Sequence, residues 1–290
     1  MSTRTVVIRN GAKLDYQLNY LVIRNCDSKR VFLDEIQTLL IESTAVSLTA
    51  VLISELTKRK VNVIFCDDKR NPIAELMSLR GSHDVSLKIK KQIHWSSEFK
   101  EQVWTEIVKE KIKKQAQHLE RWQKKESLHL WDFFDEVTTG DKTNREGHAA
   151  KVYFNALFGN GFTRNDDNSI NAALNYGYSI LLSEFNREIV SNGYLTQLGL
   201  FHDNQFNPFN FSSDLMEPFR PIIDYAVMQL APVKFEHEEK DFVLQSLQGT
   251  VLINGREEYI SNAIKIYTRS ILDALNDNEL KKIRFYSDEL

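Results

Sequence analysis

From residue 82 to residue 139 the chain runs for 58 residues without a single glycine or proline. Inside a helix glycine costs about 1 kcal/mol and proline about 3 kcal/mol, and turns depend on both. A stretch this long with neither is built for long helices. The whole chain follows the same economy, with 11 glycines and 5 prolines in 290 residues, which argues against a turn-dense β-barrel. At 42% hydrophobic and 27% charged residues it is neither a disordered nor a membrane-spanning composition.

The residues before this stretch have a different period. Residues 4–9 are rich in Val and Ile, and Leu14 and Tyr16 alternate with polar positions. Asn10-Gly11 between them is a hairpin signal. Residues 20–24, 35–41 and 61–66 are further apolar runs, and 73–79 can form a last strand. Between them Leu48, Val51, Leu52 and Leu56 fall on one helical stripe. The chain therefore reads as α+β. A small N-terminal β domain, β-sandwich-like with one helix, occupies residues 1–80. A larger all-α catalytic domain occupies residues 81–290, with helices clearest over 170–190 and 219–230.

Charge divides along similar lines. Residues 1–130 hold 23 Lys/Arg and 16 Asp/Glu, a balance of +7, whereas residues 131–290 hold 14 and 24, a balance of −10. A basic half suits a polyanion and an acidic half can carry metal ligands. Within residues 88–125 there are 11 basic residues against five acids, a candidate phosphate-facing surface. The four tryptophans, Trp95, Trp104, Trp122 and Trp131, read as helix-packing aromatics rather than base-stacking platforms. Two cysteines, Cys26 and Cys66, are too few for a disulfide framework. No signal peptide is visible, and Ser287-Asp288-Glu289-Leu290 resembles a retention signal only by coincidence. The expectation is a reduced, cytoplasmic protein that does not enter a membrane.

Two segments carry chemistry. In the first, Asn144 is a good N-cap and Ala149, Ala150, Tyr153, Ala156 and Leu157 form an apolar helix face. Stepping back three or four positions from Ala149 and Ala150 lands on Glu146, so a carboxylate points where core belongs. It either complements the helix dipole or meets a cation. In the second, His202 precedes Asp214, Glu217 and Asp224, three acids opposite the stripe of Phe219, Ile222, Ile223, Ala226 and Leu230, with Arg220 at the edge. Three such acids need a cation or solvent to screen them. Glu, His and Asp/Glu form a mixed oxygen and nitrogen set that suits Mg²⁺ or Mn²⁺ better than structural zinc.

These residues resemble the CRISPR adaptation integrase family, the "Cas-one" endonucleases and integrases. The pattern is Arg145-Glu146-Gly147, then a histidine, then Asp214-Leu215-Met216-Glu217-Pro218-Phe219-Arg220-Pro221, with Asn171 and Asn175-Tyr176-Gly177-Tyr178 between. Phe65-Cys66-Asp67-Asp68-Lys69-Arg70 and Arg80-Gly81-Ser82-His83-Asp84 look most like the type II-A branch. The resemblance implies joining of the 3′-hydroxyl ends of short foreign DNA to a CRISPR repeat by transesterification. It places the metal ligands and catalytic residues on Glu146, His202 and Glu217, the last an Asp in many relatives. Asp214 and Arg220 would support the site. It further implies double-stranded DNA as substrate, a homodimer built through the β domain, and a small ferredoxin-like partner, "Cas-two", beside other adaptation proteins and the RNA-guided nuclease. Arg80, Lys88 and Lys91 are the candidate DNA contacts. His148 reads as a helix-surface histidine rather than a general base. A tyrosine that some relatives place near the scissile phosphate has no match here; Phe162 lies around that region, and no tyrosine is carried over. A metal-dependent nuclease acting on branched DNA and a DNA-binding scaffold with solvated acids are the competing readings.

Overall fold

The computed structural model describes residues 4–79 and 81–287, so Arg80 and the terminal Asp288-Glu289-Leu290 lie outside the described residues. The chain divides into two compact units, Met1–His83 and Asp84–Leu290.

The first unit holds two four-stranded sheets. One orders β1 (Arg4–Ile8), β5 (Ile36–Ile41), β7 (Asn62–Cys66) and β8 (Pro72–Glu75), with only the last pairing antiparallel. The other orders β4 (Ser28–Phe32), β3 (Tyr20–Arg24), β2 (Ala12–Gln17) and β6 (Val46–Leu48). Leu14 and Leu21 of the second sheet share one buried cluster with Leu39, Ile41 and Val63 of the first. Helix α1 (Ala50–Lys58) closes that cluster with Leu52 and Leu56.

Asn10-Gly11 does not make a hairpin. β1 pairs in parallel with β5, and the chain crosses at Gly11 into the other sheet, where the Ala12 amide donates to the Ala45 carbonyl. The tight turn lies one strand later. Leu18 and Asn19, both left-handed (φ 47° and 66°), join β2 to β3 with Gln17 opposite Tyr20. Leu18 gives no sequence cue for that conformation. The strand expected over 73–79 is only β8, ending at Glu75.

The second unit is built round α3 (Ser97–Arg121), which α4 (Ser127–Glu136), α5 (Arg145–Phe158), α8 (Arg220–Leu230) and α10 (Ile260–Asp277) contact. α3 is apolar over more than one stripe, with Val103, Trp104, Ile107, Val108 and Ile112 buried, as a central helix requires. The breaker-free stretch yields three helices rather than one. α2 (Val85–Ile93) ends before Ser96, whose hydroxyl accepts from the Phe99 amide as the cap of α3. α3 in turn ends where Gln123 turns left-handed at φ 53°. The basic run is also not one outward surface, because Lys111 and Lys114 of α3 are buried.

The remaining helices are α6 (Ser169–Ser191), α7 (Asn210–Met216) and α9 (His237–Ser246). The unit is not all-α. β9 (Thr250–Ile253) and β10 (Arg256–Tyr259) pair through Asn254-Gly255, both at positive φ. The dipeptide is the same hairpin signal that failed at Asn10-Gly11, and here Ile253 faces Arg256 across a two-residue turn. Gly177 matters for the site. A Cβ there would stand 2.5 Å from Ile223, so only glycine lets α6 and α8 approach this closely. No helix among the described residues is long and apolar enough to cross a membrane.

Candidate metal and phosphate site

Glu146 stands in the first turn of α5. Asn144 caps the helix, its side chain accepting from the Gly147 amide at 3.3 Å. Asp141 adds a second cap, accepting from the Arg145 amide at 2.8 Å and the Glu146 amide at 3.0 Å. These bonds fix where the Glu146 carboxylate leaves the helix. Below it Ala149, Tyr153 and Leu157 are buried, so the apolar stripe does lead back to a half-buried Glu146.

A single helix across 214–224, the condition for Asp214, Glu217 and Asp224 to share one face, does not form. α7 ends at Met216, a single tighter turn spans Glu217–Phe219, and α8 begins with Pro221 in its first turn. Pro218 and Pro221 sit where missing backbone donors cost least. The three acids do not face solvent, since Asp214, Glu217 and Asp224 are all buried. Each has its own partners.

Asp214 accepts the backbone amides of Leu200 (2.6 Å), Phe201 (3.2 Å) and His202 (3.2 Å), and His202 Nδ1 at 2.6 Å. Burial raises the Asp214 pKa, and the bonds to His202 and the amides oppose that. With a carboxylate already accepting three N–H groups, Nδ1 is the protonated ring nitrogen and Nε2 is the one left for a ligand. The bond to Asp214 raises the His202 pKa against the opposing effect of burial. The imidazole lies edge-on to Trp104 of α3, at 5.8 Å, and Phe201 stacks on the same indole at 4.7 Å.

Glu217 accepts Arg220 Nε at 2.9 Å and Lys111 Nζ at 2.5 Å. The same Lys111 ammonium also donates to Glu146. One cation thus joins the two glutamates from opposite sides, and it comes from α3, seven residues after Trp104. Burial works to raise the Glu217 pKa, but Arg220, Lys111 and His202 outweigh it and hold the carboxyl at about 2. Burial likewise works against the Lys111 ammonium, and Glu146 and Glu217 overcome it, keeping its pKa above the usual lysine value.

Asp224, one turn into α8, accepts the Tyr178 hydroxyl, and burial pushes its pKa up to about 7. Arg220 lies over the Tyr178 ring at 4.6 Å and Arg164 at 5.3 Å. Arg164 is held by Asn171 and by Asn175, the latter at 2.7 Å. Those two asparagines, picked out in the sequence only as part of a pattern, therefore aim a guanidinium.

The structure joins Glu146 and Glu217 through Lys111, Arg220 to Glu217, and His202 to Asp214, and the His202 charge acts on Glu217. The ligand atoms of Glu146, His202 and Glu217 do not all come within 4.8 Å of one another. His148 is exposed and leans on Phe133, 6.1 Å away. Phe162 packs against Phe154 and Phe158. Lys88 pairs with Asp84 at 3.0 Å, and Lys91 is exposed on α2. Sequence reasoning missed Lys111 and Arg164, and named Tyr178 only as part of the family pattern. Lys111 had the same signal as Glu146, for three or four steps from Ile107 and Val108 lands on it.

Carboxylate oxygens with one free imidazole nitrogen are the donors Mg²⁺ or Mn²⁺ takes, and a pair of glutamates already gathered round one cation fits such an ion. The guanidiniums of Arg220 and Arg164 beside them suit a phosphodiester.

The family model described as CRISPR associated protein Cas1 matches residues 5–264. The chain belongs to the Cas1 family. It is 38% identical over 232 residues to the CRISPR-associated endonuclease Cas1 of Neisseria meningitidis serogroup C (strain 8013), covering 79% of this chain and 76% of that protein. A second Cas1, from Francisella tularensis subsp. novicida (strain U112), is 24% identical and covers 92% of this chain and 91% of its own length. Among solved structures, a casposase bound to integration product superposes with a TM-score of 0.78 at 19% identity, over 97% of this chain and 92% of that one. The Cas1 protein TM1797 from Thermotoga maritima gives 0.73 at 15% identity, over 94% and 97%. At these identities the likeness is one of fold, and it is the α+β fold with sheets first and helices after.

Proposed function

We propose that the chain is an integrase and endonuclease of CRISPR adaptation that joins the 3′-hydroxyl ends of short DNA to a CRISPR repeat by transesterification. Family membership supports the activity class, and the Neisseria relative bears the name endonuclease. The observation that carries the site is the convergence of Glu146 and Glu217 on one cation, beside a histidine whose Nδ1 is fixed by Asp214.

In this reading Glu146, Glu217 and His202 Nε2 hold Mg²⁺ or Mn²⁺. The ion, when bound, lowers the pKa of the attacking hydroxyl and stabilises charge on the phosphorus centre. Asp214 keeps His202 in the tautomer that leaves Nε2 free and orients the ring. Arg220 neutralises a phosphate oxygen while it also fixes Glu217. Arg164, aimed by Asn171 and Asn175, contacts the neighbouring phosphate. The wall of Trp104 and Phe201 keeps water from one side of the histidine.

The N-terminal unit, read as a two-sheet sandwich, makes a homodimer. One solved neighbour is a Cas6-RT-Cas1–Cas2 complex, which supports a small Cas2-type partner here. Double-stranded DNA lies along basic positions such as Lys91, with Lys88 contributing less because Asp84 already pairs with it. The place of action is the cytoplasm.

The test is to incubate the protein and a Cas2-type partner with short duplexes and a supercoiled repeat-bearing plasmid. Joined strands are expected from the wild type and not from Glu146→Gln. Cut but never joined plasmid would favour the alternative, a nuclease acting on branched DNA with water as nucleophile.

A further inference from the structure

Lys111 is used by neither the ligand set nor the phosphate contacts proposed above, yet it is the best-placed charge in the site. Its ammonium donates to Glu146 and to Glu217, and its side chain and that of Glu217 are each 7% exposed, against 28% for Glu146. The three groups come from three elements: α3, the start of α5, and the turn before α8. A lysine is a compact charge on a flexible four-carbon stem, so it can leave the carboxylates without α3 moving.

We propose that the Lys111 ammonium competes with the divalent ion for Glu146 and Glu217 and thereby couples metal binding to the arrival of a DNA phosphodiester. This rests on the metal reading above. The argument is one of charge in a buried place, where unbalanced charge is costly. Glu146, Asp214, Glu217 and, above pH 7, Asp224 bring four negative charges, and Lys111, Arg220 and Arg164 three positive ones. With His202 neutral, as a ligand must be, the site carries −1. A divalent ion takes it to +1 if Lys111 stays charged nearby, and one phosphodiester returns it to zero. Without Lys111 the site starts at −2, the ion alone neutralises it, and the phosphate adds nothing. The displaced ammonium, on the side where Glu146 is more exposed, is then free to meet that phosphate.

The experiment is a Mn²⁺ titration, read by the spin-resonance signal of free Mn²⁺, with and without a short 3′-overhang duplex. Wild type, Lys111→Met, Lys111→Gln and Glu146→Gln are compared after thermal melting shows which are folded. In the wild type, DNA should tighten Mn²⁺ binding about tenfold or more. Without DNA, Lys111→Met and Lys111→Gln should bind Mn²⁺ about tenfold tighter than wild type, and DNA should then add little. Lysine variants that bind no tighter than wild type overturn the proposal and leave the metal site standing. Equal wild-type affinity with and without DNA overturns it even where neither lysine variant folds. Mn²⁺ binding that is absent, or unchanged by Glu146→Gln, overturns the metal reading and this proposal together.

Discussion

Asp214 accepts a hydrogen bond from His202 Nδ1 at 2.6 Å, and the same carboxylate gathers the backbone amides of Leu200, Phe201 and His202. One buried acid from α7 therefore shapes the loop and chooses the histidine tautomer. Asp214→Asn presents an amide N–H₂ where an acceptor is needed, so at least one of these bonds is lost. Mn²⁺ affinity should fall about 10–100-fold, as it does when such an orienting partner is removed. Stability should fall by about 1–3 kcal/mol. Calorimetric metal titration and denaturant melts check the two effects, and unchanged metal affinity would mean His202 needs no orientation from Asp214.

The same loop has no spare room. A Cβ on residue 199 would stand 2.4 Å from the His202 carbonyl oxygen and 2.7 Å from Asp214 Oδ2. Gly199→Ala should push the loop off Asp214, at a cost of about 1–3 kcal/mol, and strand joining should fall with it. The imidazole proton resonances of His202 should move in Gly199→Ala. If they stay and joining persists, the close approach is being relieved elsewhere.

Glu146 and Glu217 share Lys111 but should not be equivalent in stability. Glu217 is buried between Lys111 and Arg220, whereas Glu146 is half-exposed at the start of α5. Glu217→Gln leaves the buried Lys111 and the partly buried Arg220 facing a neutral group and should destabilise the fold by about 3 kcal/mol. Glu146→Gln should cost less than that, because Lys111 keeps Glu217 as its partner, while both lose strand joining. Equal melting midpoints for the two variants would contradict the buried ion-pair arrangement.

The sequence and the structure agree where a residue breaks the period of its own element, and part where the cue lies across the fold. Glu146 was legible because a carboxylate interrupts an apolar stripe, and Lys111 carried that same mark on α3. Arg164 carried none, and Tyr178 none beyond its place in the family pattern. Their roles arise from α6 lying against α8 at Gly177 and from two asparagine side chains that face an arginine 7 and 11 residues earlier. The two Asn-Gly pairs show the limit on the β side. Asn254-Gly255 turns a hairpin and Asn10-Gly11 does not, because β1 finds its partner in β5, across the intervening second-sheet strands. The α+β class was legible, whereas the hairpin inside the helical unit was overlooked with its turn signal in plain view.

The candidate triad of Glu146, His202 and Glu217 bears on assembly, because each chain brings one copy of it. Staggered attack on both strands of a repeat needs two active sites, so the proposed dimer and its partner should matter to complete integration. Mixing wild type with excess Glu146→Gln subunits should reduce products joined at both ends more steeply than products joined at one. Equal decline, or full joining by a protein that sediments as a monomer, would refute the assembly argument.

Stability should also depend on pH through Asp224. Burial raises its pKa in the folded chain to about 7, and the Tyr178 hydroxyl together with Lys111, Arg220 and Arg164 only partly opposes that. In the unfolded chain the same carboxyl titrates near the ordinary aspartate value of about 3.9. Between these values the folded state holds a proton that the unfolded state has lost. The contribution of this group is therefore fully present below about pH 4 and is lost as pH rises through 7. Asp224→Asn keeps an acceptor for Tyr178 and removes the titration. The variant should gain about 1–3 kcal/mol over wild type at pH 8 relative to pH 5. Urea melts across that range measure the difference directly. A difference between the two proteins that does not change from pH 5 to pH 8 would mean that Asp224 keeps an ordinary carboxylate pKa in the fold, with Arg220 and Arg164 compensating its burial.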